Sequence, residues 1–187
     1  MVEQTDEAIA AAVQHGDVES FGLLVERYEQ KLLRYAKKFI SDTEDIKDLV
    51  QEVFLKAYVN IQSFDACRRF SPWLYRIAHN TFINALKKKR RERISFLDLD
   101  VLFPHPVAKD TADRNVHDDD LKRLLDQYLG SISAKYREPL VLYYYQDLSY
   151  QEIADALRIP VATVGVRLAR GKARLKKIIP RDGQSYG

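Results

Sequence analysis

Several features are scarce in this chain of 187 residues, and each scarcity excludes a class of protein. The single cysteine, Cys67, rules out an internal disulfide and has no CxxC partner for a metal site. No run of about 18 apolar residues exists, so we expect no membrane span. The first ten residues, MVEQTDEAIA, are acidic and lack the apolar centre of a secretory signal. This composition suits a reducing compartment, and we expect a cytoplasmic protein.

Patterns for catalysis and metal binding are also missing. The four histidines are scattered along the chain without the spacing of metal ligands: His15, His79, His105 and His117. No glycine-rich phosphate loop and no Ser-His-Asp set occurs. We therefore expect no enzymatic activity, no cofactor and no metal. Nuclease or ATPase activity that survives rigorous purification would contradict this expectation.

Helical periodicity is present along most of the chain. Glycine and proline number only 7 and 6, so long irregular regions are expected in one segment alone. Apolar residues recur at three-four spacing, which predicts amphipathic helices and an all-α fold. Capping signals mark two helix starts, Ser41 with Glu44 and Ser71 with Pro72. The N-terminal part is thus predicted to form helices at about residues 6–15, 18–40, 41–61 and 71–93.

Residues 146–177 predict a helix-turn-helix. Ser149 and Glu152 form a capping box for the first helix, and Pro160 follows the break before the second. The outer side of the second helix is basic, as in proteins that read the DNA major groove. Its members are Thr163, Arg167, Arg170, Arg174 and Lys177. A helical hairpin with a solvated charged face would produce the same pattern.

The charge distribution divides the chain into two modules. Residues 68–93 are strongly basic, residues 95–120 carry seven Asp, and residues 158–181 contain no acid. Two basic blocks around an acidic connector indicate two modules that each meet a polyanion. We predict two small helical domains, residues 1–94 and 118–187, joined by a flexible linker at 95–117. Asp118 would open the second domain, and Pro139 would kink its next helix or mark that helix's true start.

The third predicted helix carries an acidic patch on the side away from its apolar stripe, which includes Tyr58. The patch contains one leucine among polar residues at helical spacing: Asp48, Gln51, Glu52 and Leu55. Such a face suits the docking of a partner. A solvated face with a stray leucine needs no functional explanation and remains an alternative.

The fourth predicted helix has an outer face that mixes an aromatic residue, amides and cations. Cations hold phosphates, aromatics stack on bases and amides read base edges, so this mixture suits nucleic acid. The residues on this face are Trp73, Arg76, Asn80, Asn84, Lys87 and Arg91. A generic polyanion patch, a nuclear-targeting run or a solvated helix end are the alternatives.

Three blocks in this order resemble the sigma factors of bacterial RNA polymerase, in the extracytoplasmic-function class. DLVQEVFLKAYVNIQSFD at 48–65 resembles the helix that binds core polymerase. FSPWLYRIAHNTFINALKKKRR at 70–91 resembles the segment that recognises and melts the minus-ten promoter element. LSYQEIADALRIPVATVGVRLARGKARL at 148–175 resembles the helix-turn-helix that binds the minus-thirty-five element. The resemblance covers nearly the whole chain.

The resemblance implies a role for each face. Core RNA polymerase would dock on the acidic patch of the third helix. Promoter DNA would meet both basic blocks, and an unstacked base would be held near residues 64–80. The minus-ten set then includes Phe64 and Arg69 besides the outer face of the fourth helix, whereas Tyr75 is expected in the core. An anti-sigma factor is the further partner expected for this class.

Some positions depart from the family pattern, and one rival function stays open. Gly165 stands where lysine or arginine is often found, Val166 replaces a commonly polar residue, and Arg158 occupies a turn position where glycine or asparagine is frequent. A stand-alone helix-turn-helix regulator would explain the second module alone. It would bind a palindromic operator without polymerase.

Overall fold

The computed structural model describes residues 4–40, 42–94 and 128–178, with the side chains of residues 89–94 outside the description. Within these ranges the chain is helical, as predicted. The first module contains α1 (Asp6–Gln14), α2 (Phe21–Lys37), α3 (Thr43–Val59), a 3₁₀ helix (Ile61–Ser63) and α4 (Phe70–Ile94). The second module contains α5 (Ala134–Gln146), α6 (Tyr150–Leu157) and α7 (Val161–Ile178).

Two helix starts in the first module differ from the prediction. Ser41 lies outside the described residues, and α3 is capped by Asp42, whose carboxylate accepts a hydrogen bond from the backbone of Glu44 at 3.0 Å. Ser71 is not the cap of α4, because the helix already begins at Phe70. The Phe70 amide donates to the carboxylate of Glu7 on α1 at 2.9 Å. A distant acid thus satisfies an amide at the start of α4.

The first module is held together by a core in which aromatic residues from different helices meet. Tyr35 on α2 packs edge-on against Tyr75 on α4, with ring centroids 5.3 Å apart, and both side chains are almost fully buried. The expectation that Tyr75 belongs to the core is confirmed. Edge-to-face ring pairs of this kind stabilise beyond the area they bury.

The second module shows the predicted helix-turn-helix. Ser149 and Glu152 form the capping box of α6, and Arg158 ends that helix in the left-handed conformation at φ 53°. This conformation carries a backbone cost for a residue with a Cβ atom, which explains why glycine or asparagine is frequent at this turn position. Gly171 lets α7 approach α5 closely, since a Cβ atom there would lie 2.8 Å from Leu140 Cδ1 and 3.2 Å from the Tyr136 carbonyl oxygen. Pro139 does not mark a helix start, because α5 runs from Ala134 through it.

The two modules contact each other in this structure. The helix α6 packs along α4, and polar side chains of α5 reach into the first module. The linker predicted at 95–117 and the start of the helix predicted from Asp118 lie outside the described residues, which resume at residue 128 with a helical segment at 128–130. In the described part of the chain, no helix combines the length and apolar character needed to cross a membrane.

Candidate nucleic-acid and partner interfaces

An aromatic cluster lies at the start of α4. Phe64 follows the 3₁₀ helix and packs against Phe70 and Trp73, with ring centroids 5.3 Å and 5.4 Å away. Trp73 was expected on the exposed side of α4 but is only 9% exposed. The loop that precedes α4 then brings Phe64 against that side and covers the indole.

A cavity of about 410 Å³ opens beside this cluster. We call it the arginine–tryptophan pocket, and its walls from the first module include Phe64, Arg68, Arg69, Trp73 and Arg76. Two carboxylate side chains of α6, those of Glu152 and Asp155, complete the wall from the second module. Asp65 also lines the pocket, which thus combines aromatic rings, three guanidinium groups and three carboxylates. Such a site has the chemistry to hold a planar base and its phosphate.

The rest of the predicted outer face of α4 is accessible in part. Arg76 and Asn80 are half-buried, whereas Asn84 and Lys87 are exposed. The side chain of Arg91 lies outside the described part of the structure. The accessible residues continue away from the pocket along α4, so a strand that enters the pocket would have cations and amides along its further path.

The predicted docking face on α3 is exposed. Asp48, Gln51 and Glu52 are accessible to solvent, and Leu55 is 66% exposed. Val59, one turn beyond Leu55, is 76% exposed and was missed by the sequence interpretation. Val59 lies four residues after Leu55, and this spacing predicts that the two side chains share one face of α3. The two side chains extend an apolar strip within an acidic surface.

Tyr58 was predicted in the core stripe of α3, and this prediction is wrong. Its side chain is 38% exposed and forms a T-shaped pair with Phe21, with ring centroids 5.2 Å apart. Glu52 pairs with Lys56 at 2.6 Å on the same helix. Tyr58 and Lys56 therefore border the acidic face, and Lys56 already has a carboxylate partner in Glu52.

The basic stripe predicted on the second helix of the helix-turn-helix lies on the surface of α7. Arg170, Arg174 and Lys177 are exposed, while Thr163 and Arg167 are half-buried. These five residues lie on the predicted side of the helix, whose opposite side carries the buried Val164, Leu168, Gly171 and Leu175.

Tyr136 on α5 supports two arginines of the stripe. The Arg174 guanidinium carbon lies 4.5 Å from the centre of the Tyr136 ring, a cation–π distance. Hydrogen bonding to Arg170 lowers the pKa of Tyr136, an effect reinforced by the positive charges of Lys135 and Arg174. The tyrosine therefore restricts the position of both arginines.

A second aromatic group of this module was not predicted. Tyr143 contacts Tyr144 and Tyr150, with ring centroids 4.9 Å and 5.5 Å away. The Lys172 ammonium lies 5.3 Å from the Tyr144 ring centre, and hydrogen bonding to Tyr144 raises the pKa of Lys172. A Cβ atom at Gly165 would lie 3.7 Å from the Tyr150 ring, at ordinary contact distance. Of the three adjacent tyrosines at 143–145, Tyr144 is exposed and the other two are half-buried.

Among the side chains that the structure describes, no group of three or more histidine, cysteine, aspartate or glutamate residues is arranged to hold a metal ion. The cations, rings and amides instead cluster on surfaces. Their geometry suits binding to a polyanion and to a protein partner.

Two family models match the chain. Sigma-70 region 2 matches residues 24–92, and Sigma-70, region 4 matches residues 122–175, so together they cover more than half of the sequence. The first match contains α3, most of α4 and the first-module wall of the arginine–tryptophan pocket. The second contains α5, α6 and most of α7.

Individual proteins show the same likeness. The ECF RNA polymerase sigma factor SigW of Bacillus subtilis is 35% identical over 88% of this chain and 91% of its own length. The structure of CnrH in complex with the cytosolic domain of CnrY aligns with a TM-score of 0.67 and 27% identity, covering 96% of this chain and 99% of that one.

The fold likeness extends to a more distant structure. The sigma factor RpoE in complex with the anti-sigma factor NepR, from Bartonella quintana, aligns with a TM-score of 0.68 at 23% identity. It covers 88% of this chain and 99% of that chain, and it shows the fold alone. The family models and the full-length relative establish more than the fold: the chain belongs to the ECF sigma factors of RNA polymerase, the proteins that start transcription at specific promoters.

Proposed function

We propose that the two predicted domains, residues 1–94 and 118–187, have separate binding roles. The first module binds core polymerase and the minus-ten element, and the second binds the minus-thirty-five element. The protein acts by binding in the cytoplasm and catalyses no covalent reaction. The observation that carries this proposal is the arginine–tryptophan pocket, which adjoins a basic and amide-bearing helix face.

The pocket is proposed to hold a base of the non-template strand after it leaves the stack. Unstacking costs a few kcal/mol, which ring contacts and hydrogen bonds in a fitted pocket offset. Phe64 and Trp73 provide aromatic surface, and Arg69 and Arg76 provide positive charge at the rim. The remaining members of the minus-ten set follow along α4 as Asn80, Asn84, Lys87 and Arg91.

The α7 stripe is proposed to read the minus-thirty-five element in the major groove. Thr163 and Arg167 lie towards the N-terminal half of α7, where a recognition helix meets base edges. Arg170, Arg174 and Lys177 continue along the same face. Gly165 and Val166 offer no charge, so base reading is shifted to the neighbouring Thr163 and Arg167.

Core polymerase is proposed to dock on the acidic α3 face. Leu55 provides an apolar anchor, and Asp48, Gln51 and Glu52 surround it with polar and charged groups. This arrangement, an apolar centre with a polar rim, is typical of protein interfaces. Val59 extends the anchor by one turn.

An anti-sigma factor is proposed as the regulatory partner. The support is that a protein of the same fold, RpoE of Bartonella quintana, was solved in complex with the anti-sigma factor NepR. Such a partner would have to cover at least one of the three functional faces to prevent initiation. Addition of the partner should therefore abolish either polymerase binding or promoter binding.

The test is transcription reconstituted from purified protein and core RNA polymerase on a library of genomic promoters. Promoter-specific transcripts are expected, and permanganate reactivity should reveal opened DNA near the start site. Leu55→Asp should prevent holoenzyme formation, and Arg170→Ala should weaken promoter binding, while Glu29→Gln on α2, which belongs to none of the three faces, should behave as wild type. If wild-type protein directs no promoter-specific transcript, the proposal fails. A footprint of the protein alone over a palindromic operator would instead favour a stand-alone regulator.

A further inference from the structure

The first helix, α1, lies before the segment that the Sigma-70 region 2 model matches, and none of the three functional faces includes it. It nevertheless contacts the loop that builds much of the arginine–tryptophan pocket. This loop runs from the 3₁₀ helix at Ile61 to the start of α4 at Phe70, and it carries Phe64, Arg68 and Arg69 of the pocket wall. We call residues 61–70 the pocket loop.

Gln14, the last residue of α1, holds the beginning of the pocket loop. Its side-chain amide donates to the carbonyl of Ile61 at 2.7 Å and to the carbonyl of Phe64 at 2.8 Å. A glutamine amide offers two N–H groups, so both of them are used on this loop. Gln62 Nε2 in return donates to the backbone carbonyl of Gln14 at 3.0 Å. Gln14 thereby fixes the backbone that carries the Phe64 ring.

Glu7, in the first turn of α1, holds the end of the pocket loop. Its carboxylate accepts the hydrogen bond from the Phe70 amide at 2.9 Å. The Phe70 ring centroid lies 5.3 Å from that of Phe64 and 5.5 Å from that of Trp73. Glu7 and Gln14 have i, i+7 spacing, which places them on the same side of the helix. One helix thus holds both ends of the loop.

The helix α1 is itself fixed within the first module. Asp6 pairs with Arg27 of α2 at 2.7 Å and accepts a hydrogen bond from Tyr28 at 2.5 Å. The apolar side of α1 is buried in the core through Ile9, Ala10 and Val13. A binding site is precise only when its side chains are held by a rigid surrounding. The contacts of α1 connect the pocket loop to such a surrounding.

We propose that Gln14 and Glu7 are positioning residues for the base pocket, through which α1 holds the pocket loop so that Phe64 lies against Trp73 beside the open cavity. This proposal rests on the proposed role of the pocket in holding an unstacked base. Neither Gln14 nor Glu7 lines the pocket, so each acts through the loop backbone and not by touching DNA. A loop that is only partly in the competent conformation binds with an affinity reduced by that fraction.

Two substitutions remove these hydrogen bonds, and two matched variants keep them. Gln14→Ala removes both N–H donors, and Glu7→Leu removes the acceptor of the Phe70 amide. Glu7→Gln keeps a side-chain oxygen that accepts the same hydrogen bond, so it should behave as wild type. Gln30→Ala is the control for Gln14→Ala, because Gln30 is an exposed glutamine on α2. Circular dichroism and urea unfolding establish that each variant is folded under the assay conditions.

The first measurement is acrylamide quenching of Trp73, the only tryptophan, in the full chain. Trp73 is 9% exposed and packs against Phe64 of the pocket loop. Loss of the hydrogen bonds from α1 should loosen the loop, so quenching should rise in Gln14→Ala and in Glu7→Leu. Glu7→Gln and Gln30→Ala should keep the wild-type value. Unchanged quenching in both Gln14→Ala and Glu7→Leu would overturn the proposal.

The second measurement separates positioning of the base from a general loss of stability. Reconstituted holoenzyme is bound to a promoter that it transcribes, with single bases of the non-template minus-ten strand replaced one at a time by abasic sites. In wild type, removal of the base that occupies the pocket should weaken binding most. Gln14→Ala should bind the intact promoter about five- to ten-fold more weakly, and removal of the pocket base should then cost correspondingly less. The losses at the other abasic positions should keep their wild-type size.

A loss of affinity that is equal for the intact promoter and for every abasic promoter would overturn the proposal, whatever the quenching shows. The contribution of the pocket base would then be independent of α1. If no abasic position weakens wild-type binding more than the others, the proposed DNA role of the pocket fails. The quenching of Trp73 still decides in that case whether α1 holds the loop. The failure of this inference and that of the proposed function are therefore distinguishable.

Discussion

The two DNA-binding surfaces assigned to this protein are built in different ways. On α7, the basic residues project from one face of a single helix, and the three at its C-terminal end are exposed. At the start of α4, the binding groups surround a cavity to which a loop, a helix and a second module all contribute. An exposed stripe suits duplex DNA, whose phosphates and base edges are accessible from outside. A pocket suits an unstacked base, which needs ring contacts on its faces. The comparison predicts that mutations at the pocket affect stability and binding together, whereas mutations on the stripe affect binding alone.

The largest effect is expected from Trp73→Ala. Truncating a buried aromatic side chain costs about 3–5 kcal/mol of unfolding free energy, because the cavity it leaves is only partly refilled. Trp73 lies within contact of Phe64 and Phe70, so both rings lose packing. Urea unfolding measures the loss. Trp73→Phe, which keeps an aromatic ring, should retain most of the stability, and an equal loss in both variants would contradict the packing argument.

Arg170→Ala tests the other side of the comparison. Its DNA affinity should fall by about 1–3 kcal/mol if Arg170 reads a base, or the salt slope should fall by about one if it meets a phosphate. Its unfolding free energy should stay within about 0.5 kcal/mol of wild type, because Arg170 is exposed. Binding is measured by fluorescence anisotropy over a range of salt concentrations. No change in affinity or slope would remove Arg170 from the interface.

Two glycines of α7 provide a matched pair for the packing behind the stripe. At Gly171 a methyl group would approach Leu140 and the Tyr136 carbonyl oxygen too closely, so Gly171→Ala should cost about 1–3 kcal/mol. At Gly165 a methyl group has ordinary contact distance to Tyr150, so Gly165→Ala should be neutral or stabilise by up to about 1 kcal/mol through helix propensity. Thermal unfolding compares them. Equal behaviour of the two variants would show that α7 is not held closely against α5.

The tyrosines of the two modules should respond to alkaline pH in opposite ways. Burial raises the pKa of Tyr28, Tyr35 and Tyr75 in the first module, so folding favours their neutral form. Their contribution to stability is present below the unfolded pKa of about 10 and is lost as the pH rises above it. The pKa of Tyr136 is lowered, so folding favours its ionised form. The contribution of Tyr136 to stability is therefore present above the unfolded pKa and is lost as the pH falls through the folded pKa.

This difference is measured by tyrosinate absorbance and by unfolding at increasing pH. Tyr136→Phe identifies the signal of Tyr136. Arg170→Ala should move that signal to higher pH, because the hydrogen bond with Arg170 is the largest cause of the shift. Glu44→Gln should leave it unchanged. A Tyr136 signal that does not move in Arg170→Ala would place Arg170 away from the tyrosine and weaken the account of the stripe.

The sequence interpretation was accurate for features within a single helix and inaccurate where separate segments meet. The α7 stripe and the capping box of α6 were predicted correctly, because helical phase and local capping depend on residues close in sequence. The exposure of Leu55 was predicted for the same reason. Trp73 was misjudged, because Phe64 reaches it through a loop whose conformation the periodicity does not describe. The start of α4 was misjudged because its first amide finds Glu7, which is 63 residues away in the chain.

The sequence by itself determined the helices, their apolar and charged faces and, through three motifs in order, the family of the protein. These features depend on spacing within about one or two helical turns, which a sequence displays directly. Only the tertiary structure decided that Trp73 is buried, that Gly171 is a close-contact position and that Glu152 both caps α6 and holds Arg69. Each of these depends on groups from separate helices meeting in space. Contacts between distant segments are fixed by packing, and for that reason the contact between Glu152 and Arg69 was absent from the sequence interpretation.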